Sequence, residues 1–171
     1  VEKYLNWEYW KDISAKKASI FFSFFWFEAM KDLEKDFYSY DFILSNRYVS
    51  ANMIHQAWKI RDDQERKEFL DWLQDLEYNI FWIPKPDKTI FLNVSPEMSQ
   101  KLVLKKLERE YLKWWKKMDL HEEDKDHLIF AHKSAMEIVK NNQNWVKIDC
   151  QRWDERKSIE EITKEILTEI L

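Results

Sequence analysis

No glycine occurs anywhere in the 171 residues, and that absence constrains the backbone more than any motif does. Glycine makes up about 7% of ordinary chains, so roughly a dozen would be expected here. Every turn or helix end that needs positive φ must therefore use a residue with a Cβ, at a steric cost. Ten tryptophans are present, and several stand in loop or helix-end contexts where glycine is the usual residue. These are Trp7 and Trp10 in LNWEYW, Trp58 after HQA, Trp82 in IFWIPKPD and Trp153 in QRWDERKS. The pattern points to deliberate redesign or replacement.

The chain is 45% hydrophobic and 16% aromatic, enough for one domain with a real core, and residues 1–171 are read as that single domain. A net charge of −4 argues against nucleic acid or an anionic membrane surface as the main partner. No uninterrupted apolar stretch is long enough to cross a bilayer, and VEKYLNWEYW lacks the layout of a secretory signal. The one cysteine, Cys150, cannot form an internal disulfide and is most simply a small buried side chain. Together these features predict a cytoplasmic protein.

Residues 14–38 have a helical apolar period through Ala18, Phe21, Phe22, Phe25, Ala29, Leu33 and Phe37. The middle, IFFSFFWFEAM, is apolar nearly all round, which predicts burial on more than one side. DFILS reads as a short buried strand. Residues 50–78 form a second helical region, with Phe69, Leu70, Leu73 and Leu76 on its apolar side. The two prolines of IPKPD stop any helix. KTIFLNV is strand-like, and Ser95-Pro96-Glu97 starts a helix with a cap, a first-turn proline and an acid near the positive dipole end. A basic helix, EMSQKLVLKKLEREYLKWWKKM, comes next, then another helical stretch ending near Asn141. WVKIDC is the last strand. Ser158 and Glu161 make a capping box ahead of Ile162, Ile166 and Ile170. Strands separated by helices predict an α/β fold with a parallel sheet.

In such sheets ligands bind at the carboxyl ends of strands, which puts Arg47 of SNRY at the rim where a ligand would sit. SNRYVSANMIHQ, PDKTIFLNVSPE, DLHEED and WVKIDC followed by SIEEI together resemble the thymidylate kinase family, over nearly the whole chain. The resemblance implies a three-layer α/β domain related to P-loop nucleoside monophosphate kinases, with a small parallel sheet flanked by helices. Its activity would be phosphoryl transfer from ATP, with Mg, to dTMP. Phe22 would be the base-stacking aromatic and Arg47 the phosphate ligand; Asn52 and Gln56 would line the nucleoside pocket. Arg109 would be the lid arginine. The chemistry fits, since phosphoryl transfer needs fixed cations around spreading negative charge.

The chain departs from that pattern at the places that do the work. It begins beyond the strand and the G-x-x-x-x-G-K-[ST] loop that cradles phosphates. Asn46 stands at the family's aspartate position, Trp26 at the base-reading arginine, and Ala57 and Trp58 come after Gln56 where a glycine is expected. The reading is an engineered, catalytically inactive scaffold with a remnant dTMP site, binding dTMP or another mononucleotide weakly and needing no cofactor. Two alternatives stand beside it: a thymidylate kinase whose amino-terminal P-loop is supplied from elsewhere, and a non-catalytic mononucleotide-binding module. The sheet is expected to consist of DFILS, TIFLNV and WVKIDC. The family's first strand would lie between the first two, so either they pair directly or a second copy of the chain, in a homodimer, closes the gap.

Other features have plainer readings. Phe21, Phe22, Phe24, Phe25, Trp26 and Phe27 could form a base-stacking platform, but a dense aromatic helix is more often core. Lys101, Lys105, Lys106, Arg109, Lys113, Lys116 and Lys117 read as a solvated lid-like helix. His121 and His132 share a helical face but stand about 16 Å apart along the axis, with His127 pointing elsewhere. No metal site is expected from them.

Overall fold

A computed structural model describes residues 13–102 and 125–171 of the chain. They fall into two compact units, residues 1–85 and 86–171. Arg109, Trp7, Trp10, His121 and most of the basic helix lie outside the described residues.

The first unit is helical. Helix α1, Ala15–Leu33, starts at Ser14, whose hydroxyl accepts from the Lys17 amide. Helix α2 is Val49–Ala57, and α3, Asp63–Gln74, is capped by the Asp62 carboxylate at the Glu65 amide. Helix α3 runs directly into a π-helical turn, Asp75–Ile80. Helices α1, α2 and α3 pack on one another.

The face that α1 buries differs from the aromatic one expected. Ala15, Ala18, Ser19 and Ser23 are buried, whereas Phe21, Phe24 and Phe25 each remain more than half exposed. Small residues at helical spacing let α2 approach closely with Val49, Asn52, Met53 and Gln56. A Phe on that line would hold the two backbones apart. The aromatic run therefore lies beside the packed face, with Phe24 against Phe27, Phe25 against Trp26 and Phe27 against Phe81.

DFILS does not form a strand. Residues 42–45 have no ladder partner, and Phe42, Ile43 and Leu44 are exposed. Their apolar character predicts burial in a sheet, but no neighbouring strand among the described residues supplies the hydrogen bonds.

The second unit is mixed α/β. Strands β1, Thr89–Asn93, and β2, Trp145–Asp149, pair in parallel with Thr89 opposite Trp145 and Asn93 opposite Asp149. Helix α4 includes residues 96–102, its first turn capped by Ser95 Oγ at the Met98 amide. Helix α5, Lys125–Asn141, packs on β2. A two-residue hairpin pairs β3, Gln151–Arg152, with β4, Glu155–Arg156, and helix α6, Ile159–Ile170, also packs on β2. The expected three-stranded parallel sheet is thus two-stranded among the described residues. No helix among them is long and apolar enough to cross a membrane.

Among the described residues, three have left-handed backbone: Arg47 at φ 67°, Trp82 at 53° and Trp153 at 53°. Each has a Cβ that collides with its own carbonyl in that region. Trp82 and Trp153 are 82% and 94% exposed, so no packing rewards the large side chain. Trp58 differs, since it continues α2 with ordinary right-handed backbone.

Candidate functional site

Polar side chains converge in the interior of the first unit. Ser19 and Ser23, one helical turn apart on α1, face Asn52 and Gln56, one turn apart on α2, and all four are buried. Glu77 enters from the π-helical turn and is fully buried. Its Oε1 accepts from Ser23 Oγ over 2.8 Å and from Asn52 Nδ2 over 2.9 Å. Asn52 Nδ2 also lies 3.3 Å from Ser23 Oγ and 3.2 Å from the Ser19 carbonyl. Ser19 Oγ, Asn52 Oδ1 and Glu77 Oε2 have no hydrogen-bond partner among the described residues.

Burial pushes the Glu77 carboxyl up to about 7, more than its bonds from Asn52 and Ser23 pull it down. Tyr48 and Tyr78 respond to the same centre. Burial raises both phenols, and the Glu77 charge raises them further; Tyr48 reaches about 12. Tyr48 donates to the Pro84 carbonyl over 2.8 Å, which ties the residue before α2 to the segment after the π-helix.

The residues assigned to a nucleotide differ in their surroundings among the described residues. Phe22 packs with Ile13 and Trp58 against Ala18. Trp26 packs edge-on against Tyr48. The Asn52 amide is engaged inside the protein, and Gln56 is buried. Asn46 and Arg47 are exposed; the Arg47 carbonyl accepts from Ser45 Oγ, and its guanidinium has no partner among the described residues. Of the assigned set, only Arg47 and Asn46 reach solvent freely among the described residues. Glu77, Ser23 and Tyr48 are members of the centre that the sequence reading did not single out.

A second polar constellation stands at the carboxyl ends of β1 and β2, the end of a parallel sheet where ligands commonly bind. Asn93 and Asp149 are register partners, and Asn93 Nδ2 donates to Asp149 Oδ1 over 2.6 Å. That leaves the Asn93 carbonyl facing His132 Nε2 of α5 at 2.8 Å, so the imidazole carries its proton on Nε2. Lys147 donates to both Asp149 oxygens, at 2.7 and 2.6 Å. The Lys147 bond, then the Asn93 bond, hold the Asp149 carboxyl below its ordinary value. Burial holds His132 below its ordinary value; Glu97 works against that and Lys147 reinforces it. The sequence reading considered His132 only as a metal ligand, and its actual partner comes from a strand 39 residues earlier.

No protein-family model matches the chain, and no curated protein matches it.

Proposed function

We propose that this chain is a non-catalytic α/β protein of nucleoside monophosphate kinase descent that retains an anion contact at Arg47 and has lost its base-reading pocket. The observation that carries the reading is the inward engagement of Asn52. An amide that read a nucleobase would need its donors free, yet Asn52 Nδ2 is committed to Glu77, Ser23 and the Ser19 carbonyl. Phe22 and Trp26 are likewise packed on protein neighbours. Arg47 keeps an exposed guanidinium, the planar donor fork suited to phosphate oxygens. With no glycine in the chain, a G-x-x-x-x-G-K-[ST] cradle is absent from it, and phosphoryl transfer depends on such positioning.

Titration calorimetry with dTMP, dAMP, inorganic phosphate and ATP tests the proposal, beside an assay of ATP-dependent dTMP phosphorylation. Expected are weak, salt-sensitive binding that is similar for dTMP and dAMP, its loss in Arg47→Ala, and no turnover. A strong preference for dTMP over dAMP, or turnover above the Arg47→Ala level, overturns it.

A further inference from the structure

Two buried oxygens at the centre of the first unit lack a donor, Asn52 Oδ1 and Glu77 Oε2. They belong to a pair already joined on its other side, where Asn52 Nδ2 donates to Glu77 Oε1. A carboxylate offers acceptors only, so with Glu77 ionised neither oxygen can satisfy the other. Buried polar atoms are seldom left without a hydrogen-bond partner in folded proteins, and each exception calls for a physical explanation.

We infer that Glu77 is held as the neutral carboxylic acid, its Oε2–H donating to Asn52 Oδ1, so that amide and acid close a cyclic pair of hydrogen bonds that latches α2 to the π-helical turn. The amide presents one donor and one acceptor, and a neutral acid presents the complement. Ser23 fits the same state, because the carbonyl-like Oε1 accepts from its hydroxyl and from Asn52 Nδ2 together. The surroundings favour neutrality. Helix α1 contributes the Ser23 hydroxyl and the Ser19 backbone carbonyl, and α2 contributes the amide of Asn52. The titratable neighbours are Tyr48, ahead of α2, and Tyr78, beside Glu77, and both phenols are held neutral well above physiological pH. No cation among the described residues offsets a charge on Glu77; burial dominates, and places the carboxyl near 7 against an ordinary 4.5.

The latch is therefore sensitive to pH. The folded state holds a proton that the unfolded chain releases at lower pH, so stability is fully present below about 4.5. It declines as pH rises from 4.5 to about 7 and levels off above. Ionisation removes one bond of the ring and sets Oε2 and Oδ1 against each other as two acceptors.

The test is urea unfolding across that range for the whole chain and for Glu77→Gln, with infrared spectra of both. The Gln amide can donate where the acid hydroxyl did. Other groups such as His132 titrate in both proteins, so the readout is the difference between them: expected are a wild-type midpoint that falls relative to that of Glu77→Gln as pH rises through the window, and a neutral-acid carbonyl band near pH 6 that Glu77→Gln lacks. A difference between the two midpoints that stays constant, or that moves in favour of wild type as pH rises, overturns the inference. If Glu77→Gln does not fold, the wild-type infrared titration decides alone: no neutral-acid band losing intensity as pH rises toward about 7 also overturns it.

Discussion

The indole of Trp26 meets the ring of Tyr48 edge-on, with ring centroids 4.9 Å apart and planes at 66°. The contact fixes Tyr48 from one side, while the bond from its hydroxyl to Pro84 fixes the far end of the ring. Tyr48→Phe keeps the ring contact and removes the bond, so it is expected to cost about 1 kcal/mol. Trp26→Ala removes the ring contact from a half-buried position. Its expected cost of about 2 kcal/mol stays below the ~3–5 kcal/mol of a fully buried Trp or Phe. Urea midpoints with unchanged denaturant slopes are the check.

The two sides of α1 should respond in opposite ways to size. Phe24→Ser and Phe25→Ser remove aromatics that are 53% and 54% exposed, and each is expected to cost about 1 kcal/mol or less while lowering the binding of a hydrophobic dye. Ser23→Leu puts bulk on the line that meets α2 and displaces the hydroxyl that bonds Glu77. Overpacking alone costs about 1–3 kcal/mol. Loss of a cooperative unfolding transition in Ser23→Leu, with both Phe variants near wild type, is the expected outcome. Equal losses in all three would contradict the assignment of the packed face.

Lys147 sets the protonation balance at the strand ends. Removing its charge in Lys147→Met is expected to raise the Asp149 carboxyl toward 3.8 and the His132 imidazole toward 6.5, since Lys147 depresses both. A carboxyl depressed in the folded state contributes stability above its unfolded value and loses it as pH falls, so the variant should lose stability less steeply on acidification. Proton NMR titration of both side chains reads the two shifts directly. A His132 value that moves down places the lysine's influence elsewhere.

Trp82 and Trp153 share left-handed backbone at φ 53° and large exposure. Residues with a Cβ lose roughly 1–2 kcal/mol in that region, while glycine's extra freedom when unfolded returns roughly 0.5–1 kcal/mol of the gain. Trp82→Gly and Trp153→Gly are each expected to stabilise by about 1 kcal/mol, and Trp58→Gly to destabilise, because Trp58 packs against the Ala18 cluster in right-handed backbone. Thermal midpoints of the three single variants separate these outcomes.

Local grammar explains which elements were legible in the sequence. Ser158 and Glu161 form the capping box their spacing predicts, with both reciprocal bonds present. The cores of KTIFLNV and WVKIDC become the paired strands, and IPKPD separates helix from strand. The burial of Cys150 also agrees with the reading of its type. The buried side of α1 was hidden because hydrophobicity pointed to the larger residues, whereas helix approach selected the smaller. DFILS misleads for a related reason: a short apolar run describes a side chain's preference and supplies no partner strand. Glu77 was invisible because an acid among Asp75, Asn79 and other polar neighbours reads as solvated surface. The π-helical turn adds a residue to the helical repeat and shifts the phase of the positions beyond it, so an apparent surface acid can face the interior.

The left-handed tryptophans also bear on how the gene is read. A backbone at φ 53° with an almost wholly exposed indole is the backbone of a glycine turn occupied by another residue, in a chain that has ten tryptophans and no glycine. A codon that one translation system decodes as tryptophan and another as glycine produces that coincidence without any redesign. Peptides spanning residues 82 and 153, weighed from protein made by the organism that owns the gene, distinguish the two origins. Masses lighter by the difference between an indole side chain and a hydrogen would make the host's decoding, not the fold, the source of the strain.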